Sequence, residues 1–165
     1  MLDSAGEYRF LCDADLSMPI AQISRFLPPD RAGFDVAIGS REVQGSRRIG
    51  EPGRRHLMGR AYNLAVRALV LPGLGDTQCG FKCYRGEVAE DVFSVQRFDG
   101  FSFDVEVLFL ARLRGMAVVE VPIDWYYRSH SKVRPVRDSL AMTRDILKMR
   151  WYHLSGLYSR PRPSP

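Results

Sequence analysis

Tyr8-Arg9-Phe10-Leu11-Cys12-Asp13-Ala14-Asp15 is an apolar run that ends on two carboxylates, followed at once by Leu16-Ser17-Met18-Pro19. The run reads as a strand over residues 8–13. On an extended strand residues i and i+2 point to the same side, so Asp13 and Asp15 are expected to present their oxygens together where the strand leaves the core. Such a pair suits a hard divalent cation, Mg²⁺ or Mn²⁺, whose remaining positions are filled by phosphate oxygens and water. A plainer alternative stands beside it: Asp15 or Ser17 caps the next helix, with Pro19 in its first turn.

Outward from that strand the chain alternates strands and helices, the pattern of an α/β domain. A short helix is expected over 18–27, stopped by Pro28-Pro29. Asp35-Val36-Ala37-Ile38-Gly39 reads as a second strand leading into Ser40-Arg41. A polar loop then runs from Glu42 to Gly53, and a helix follows that ends at Pro72-Gly73. Phe81-Lys82-Cys83-Tyr84 reads as a short strand, residues 87–94 and Phe103 to Leu113 as helices, and Met116 to Tyr127 as one long strand interrupted at Pro122. Val136 to Tyr152 has the spacing of an amphipathic helix. Residues 157–165, rich in Arg, Pro and Ser, are expected to be a disordered tail after a domain covering 1–156.

Composition narrows the function classes. The 165 residues are 45% hydrophobic, enough for one packed domain. No stretch approaches the roughly 18 uninterrupted apolar residues of a spanning helix. Lys and Arg number 24 against 19 Asp and Glu, a net charge of +5, and arginines crowd 41–60 and 128–162. That favours an anionic partner: a phosphate ester, an anionic membrane surface or nucleic acid. No nucleic-acid motif is visible, so nucleic acid ranks last. Cys12, Cys79 and Cys83 form no C-x-x-C framework, and His56, His130 and His153 are scattered, which speaks against a disulfide scaffold and against zinc.

Several separate segments fall in an order that resembles glycosyltransferase family 2. They are Asp13-Ala14-Asp15, Gly39-Ser40-Arg41, Gly59-Arg60 with Asn63, Asp76-Thr77-Gln78-Cys79-Gly80-Phe81-Lys82, Phe103-Asp104-Val105-Glu106 and Ser131-Lys132-Val133. Within the family the likeness is to the polyprenyl-phosphate sugar transferases, dolichyl-phosphate β-glucosyltransferases first and dolichol-phosphate mannose synthases more distantly. The resemblance implies a GT-A (Rossmann-like) α/β fold, a nucleotide-sugar donor such as UDP-glucose, a polyprenyl or dolichyl phosphate acceptor, and inverting, metal-dependent transfer at the cytoplasmic face of a membrane. It assigns Asp15 as direct metal ligand with Asp13 beside it, Lys132 to the donor diphosphate, and Arg41 and Arg55 to the acceptor phosphate. Asp76 is placed near the acceptor as base or orienting group. Arg60, Gln78 and Asp104 are supporting residues, Asp104 as partner to an arginine; Cys79 is not a nucleophile. Ser17 stands where mannose synthases often carry glutamine, which favours the glucosyltransferase-like branch. The family's first strand-helix units have no counterpart here, so the resemblance implies a missing N-terminal half, supplied by a longer parent or a partner chain. The alternative is a catalytically incomplete piece that serves as a membrane- or partner-binding module.

Overall fold

Val36–Ser40 is buried at every position, and such a strand must be covered on both faces. In the computed structural model it is an interior strand of a four-stranded mixed sheet. The structure describes residues 1–128 and 135–159, with the backbone alone at 54, 55, 57, 58, 61, 62, 65, 101 and 135–140. In chain order the strands are β1 (Tyr8–Cys12), β2 (Val36–Ser40), β3 (Arg47–Ile49), β4 (Phe81–Arg85), β5 (Val118–Pro122) and β6 (Asp124–Tyr126). The helices are α1 (Gly53–Leu69), α2 (Gly86–Val95), α3 (Phe103–Leu113) and α4 (Pro135–Leu154).

The main sheet runs β1-β4-β2-β5, with β4 antiparallel to both neighbours and β2 parallel to β5. Strands β1, β2 and β5 therefore share one direction, and their carboxyl ends lie along one edge with the start of β4. Alternation splits the apolar side chains between two cores. Val36, Ile38 and Tyr84 face a core built with helix residues such as Val66, Val92, Leu108 and Ile146. Ala37, Phe81 and Cys83 face a second one with Phe26, Phe34, Ile123 and Trp125.

Three expectations are corrected. Within residues 18–27 only a 3-10 segment forms, Ile20–Phe26, because the eight residues between Pro19 and Pro28-Pro29 are too few to repay α-helix nucleation. The loop from Glu42 to Gly53 contains β3, which pairs in parallel with β6. The interruption expected at Pro122 stands where β5, in the main sheet, gives way to β6, which leaves it. The expected tail begins too early as well, since Leu157–Ser159 is a 3-10 turn whose Tyr158 is buried and donates to Glu106 at 2.9 Å. Residues 160–165 of that tail lie outside the described residues.

Candidate functional site

The shared carboxyl edge of β1 and β2 gathers most of the expected site. Asp13 follows β1, and its backbone N–H donates to Gly80 O at 2.9 Å. Residues 13–16 form a turn rather than continued strand, closed by Leu16 N to Asp13 O at 3.2 Å. The same-side argument for Asp13 and Asp15 thus gives way to a turn that carries both outward. Leu16 holds φ of 51°, a left-handed conformation that costs of order 1 kcal/mol in a non-glycine residue. Asp15 Oδ1 accepts from Ser17 N at 2.9 Å, the capping-type bond of the plainer reading. Its other oxygen has no part in that bond.

Gly80 makes room for Asp13. A Cβ at Gly80 would stand 2.0 Å from Asp13 Oδ2, so only glycine allows this carboxylate to lie across the start of β4. Burial raises the Asp13 carboxyl above its ordinary range, and the like charges of Asp104 and Asp15 add to the rise. Lys82 and Arg41 oppose it.

Beside this pair, Arg41 follows β2 and grips Asp76. Nε donates to Asp76 Oδ2 at 2.6 Å, Nη2 to Oδ1 at 2.8 Å, and the Arg41 backbone N–H to Oδ2 at 3.0 Å. The guanidinium carbon lies 5.3 Å from the centre of the Trp125 ring, a cation–π contact. Burial alone would raise the Asp76 carboxyl. The charge and hydrogen bonds of Arg41 outweigh it and hold Asp76 below the usual carboxylate range. With Gln78 N also donating at 3.3 Å, Asp76 is an ionised, heavily bonded anion: a weak base and a firm anchor.

The loop carrying Asp76 is itself pinned. Glu120 on β5 accepts from the N–H groups of Gly75 and Asp76 at 2.7 and 3.0 Å. Asn63 on α1 donates to Gly75 O and accepts from Thr77 Oγ1 at 3.1 Å. Asn63 belongs to a recognised segment, but Glu120 carried no sequence signal beyond being an acid in an apolar strand.

Beneath Gly80, Lys82 is fully buried; its Nζ donates to Cys79 O at 2.6 Å and to Asp104 Oδ1. Asp104 is therefore paired with a lysine, not with an arginine as expected. A lysine inside Phe81-Lys82-Cys83-Tyr84 was the available signal, because a buried ammonium must find an anion. Glu106 points elsewhere and accepts from Arg97 N, Phe98 N and Tyr158 Oη, all within 3.0 Å. It holds the 96–98 loop and the end of the fold together.

The remaining expected residues separate from this group. Arg60 is exposed on α1. Arg55 sits in the first turn of α1, its side chain outside the described residues, and Lys132 lies outside them altogether. Much of the basic loop is neutralised internally: Arg47 forks onto Asp124 at 2.6 and 2.9 Å, and Arg48 bridges Glu42 and Glu51.

Cys79 and Cys83 are buried, and burial pushes each thiol up to about 12, which suits packing and not nucleophilic chemistry. Iodoacetamide at neutral pH is expected to modify exposed Cys12 in the folded protein and to reach Cys79 and Cys83 only in urea. Peptide mass spectrometry reads this directly; alkylation of native Cys79 as fast as Cys12 contradicts the packing described.

The donor set bears on a metal. Among the described residues no group of three His, Cys, Asp or Glu stands close enough to hold an ion. Two turn carboxylates, one with its charge crowded by neighbouring acids, fit an ion that takes most of its shell from phosphate and water. Asp13 and Asp15 are the carboxylates that could hold such an ion. Among the described residues no helix is long and apolar enough to cross a membrane.

No protein-family model matches the chain. Curated proteins do. The chain is 28% identical over 164 residues to the dolichyl-phosphate β-glucosyltransferase of Dictyostelium discoideum, covering 96% of this chain and 50% of that one. It is 37% identical over 117 residues to the polyprenol monophosphomannose synthase of Mycolicibacterium smegmatis, covering 70% and 44%. Among solved structures, glucosyl-3-phosphoglycerate synthase from Mycobacterium tuberculosis, crystallised with UDP, superposes with a TM-score of 0.55 at 20% identity, over 96% of this chain and 52% of that one. The chain spans about half the length of the curated relatives it matches. Its mixed α/β sheet is that of a GT-A fold.

Proposed function

We propose that the chain, similar to a dolichyl-phosphate β-glucosyltransferase and to a polyprenol monophosphomannose synthase, belongs with the polyprenyl-phosphate sugar transferases of glycosyltransferase family 2 and carries the acceptor side and metal-binding turn of such an enzyme. The reaction is inverting transfer of a sugar, glucose in the first instance, from a nucleotide sugar such as UDP-glucose to a polyprenyl or dolichyl phosphate. Its place is the cytoplasmic face of a membrane, where nucleotide sugar and lipid phosphate meet.

The observation that carries this reading is the convergence of Asp13, Asp15 and the Arg41–Asp76 fork at one sheet edge, with Gly80 clearing the space between. Asp15 and Asp13 would hold Mg²⁺ or Mn²⁺, which acts as a Lewis acid toward the departing nucleoside diphosphate. The acceptor phosphate is ionised near neutral pH, so it needs alignment more than deprotonation. Asp76, kept ionised, serves that need by orienting Arg41. Nη1 is the Arg41 nitrogen outside the fork, and it is assigned to the acceptor phosphate. Arg55 and Lys132 complete the assignment on family likeness, Arg55 toward the acceptor phosphate and Lys132 toward the donor diphosphate.

Calorimetric titration of the chain with UDP and UDP-glucose, with and without Mn²⁺, tests the reading. Binding that requires Mn²⁺ and weakens about 100-fold or more in Asp15→Asn, ~2.7 kcal/mol, is the expected result. Binding indifferent to metal removes the metal assignment. A folded chain that binds neither ligand removes the donor site.

A further inference from the structure

Helix α4 carries two apolar stripes and only one of them is packed. Met142, Ile146 and Met149 are buried against the body of the fold. On the opposite side Leu147, Trp151 and Leu154 are 59%, 60% and 83% exposed. Their spacing of four and three residues aligns them within about 60° of the helix circumference. Such large side chains left in water on one helix face mark a surface that docks.

What docks is indicated by charge. Arg144 and Lys148 project on one flank of the exposed stripe and Arg150 on the other, all three exposed. Asp145, the one acid of residues 141–154, is turned away from the stripe, where Oδ2 accepts from Ser102 Oγ at 2.7 Å and Oδ1 takes a long 3.5 Å contact from Arg144 Nη2, whose side chain stays two-thirds exposed. An apolar ridge ending in tryptophan and lined by cations on both flanks matches an interface with acyl chains below and anionic headgroups beside it. A protein partner would need acids placed to match both flanks, whereas an anionic leaflet presents phosphates on every side of the stripe.

We propose that this face of α4 is a docking surface for an anionic lipid bilayer, with Leu147, Trp151 and Leu154 entering the headgroup boundary and Arg144, Lys148 and Arg150 on lipid phosphates. The inference deepens the function proposed above by naming the surface that meets the membrane. It is tested without donor, metal or transfer, so each can fail without the other.

The test is cosedimentation of the full chain with vesicles of phosphatidylcholine, alone or mixed with phosphatidylglycerol, while tryptophan emission is followed. Partitioning onto the mixed vesicles with a blue shift is expected, because Trp151 leaves water while Trp125 is already buried. Leu147→Gln with Trp151→Gln should lower partitioning more than about tenfold. Arg144→Gln, Lys148→Gln and Arg150→Gln together should lower it on the order of 100-fold on the anionic vesicles. Leu113→Gln, an exposed apolar site at the end of α3, should change nothing, and circular dichroism confirms that each variant is folded. Failure to partition overturns the proposal, as does partitioning that the Leu147 and Trp151 changes leave intact. So does a dimer in sedimentation velocity that the same pair dissociates, since the occupant would then be a second copy.

Discussion

Gly80→Ala is expected to cost the ligand proposed for the Asp13–Asp15 turn at least about 100-fold in affinity, ~2.7 kcal/mol, while leaving the fold almost untouched. The added methyl would sit 2.0, 2.1 and 2.2 Å from the carboxylate atoms of Asp13. No contact of that length exists, so something must move. Backbone resists: Gly80 is not among the left-handed glycines, and its carbonyl holds Asp13 N at 2.9 Å. The Asp13 side chain is the free end of an exposed turn and rotates away at a cost of about 1 kcal/mol. Urea unfolding should therefore register little, and titration with Mn²⁺ and UDP should register nearly everything. Asp13→Ala should produce the same loss, and the double variant no more than either alone, because both remove one carboxylate from one place. Wild-type binding by Gly80→Ala would show that the ligand does not use Asp13.

Where side-chain period and chain order carry the information, the sequence was readable. Strand β2 is an unbroken apolar run, and α3 has helical spacing with Gly115 as its stop; both stand where their residues place them. The site was readable as a set of neighbours, because β1 and β2 run the same way and so bring Asp13 and Arg41 to one edge. Partner choice was not readable. Asp104 and Lys82 are 22 residues apart, and nothing local tells an aspartate at the head of α3 that its counter-charge is a lysine inside β4. The same holds for Glu120 under the Asp76 loop, and for the arginines of 41–48, whose sequence crowding suggested free positive charge. In the fold Arg41, Arg47 and Arg48 each hold an acid. The β3–β6 pairing escaped notice because three residues are too short for a period to register.

The Lys82–Asp104 pair should give the largest effect on stability in this molecule. Lys82 has no exposed side-chain surface and Asp104 only 13%. Lys82→Met keeps the volume but leaves a carboxylate and the Cys79 carbonyl without their ammonium. Breaking a buried pair from one side costs about 3–5 kcal/mol. A domain has roughly 5–15 kcal/mol in hand, so a large fraction of Lys82→Met should be unfolded or aggregated under mild denaturant. Asp104→Leu alone should be as damaging, since it strands a lysine that cannot reach water. Lys82→Met with Asp104→Leu should recover most of the loss, because an apolar pair of similar size needs no counter-charge. If both single changes cost under 1 kcal/mol in urea midpoints, the pair is not sealed as described. The double variant then separates framework from site. It is expected to fold, yet the field around Asp13 has lost one cation and one anion that act on it in opposite senses. Should its Mn²⁺-dependent affinity for UDP stay within about threefold of wild type, the pair is a strut under Gly80 and nothing more. A tenfold change in a folded protein, ~1.4 kcal/mol, would mean that the buried pair sets the charge of the Asp13–Asp15 turn from beneath.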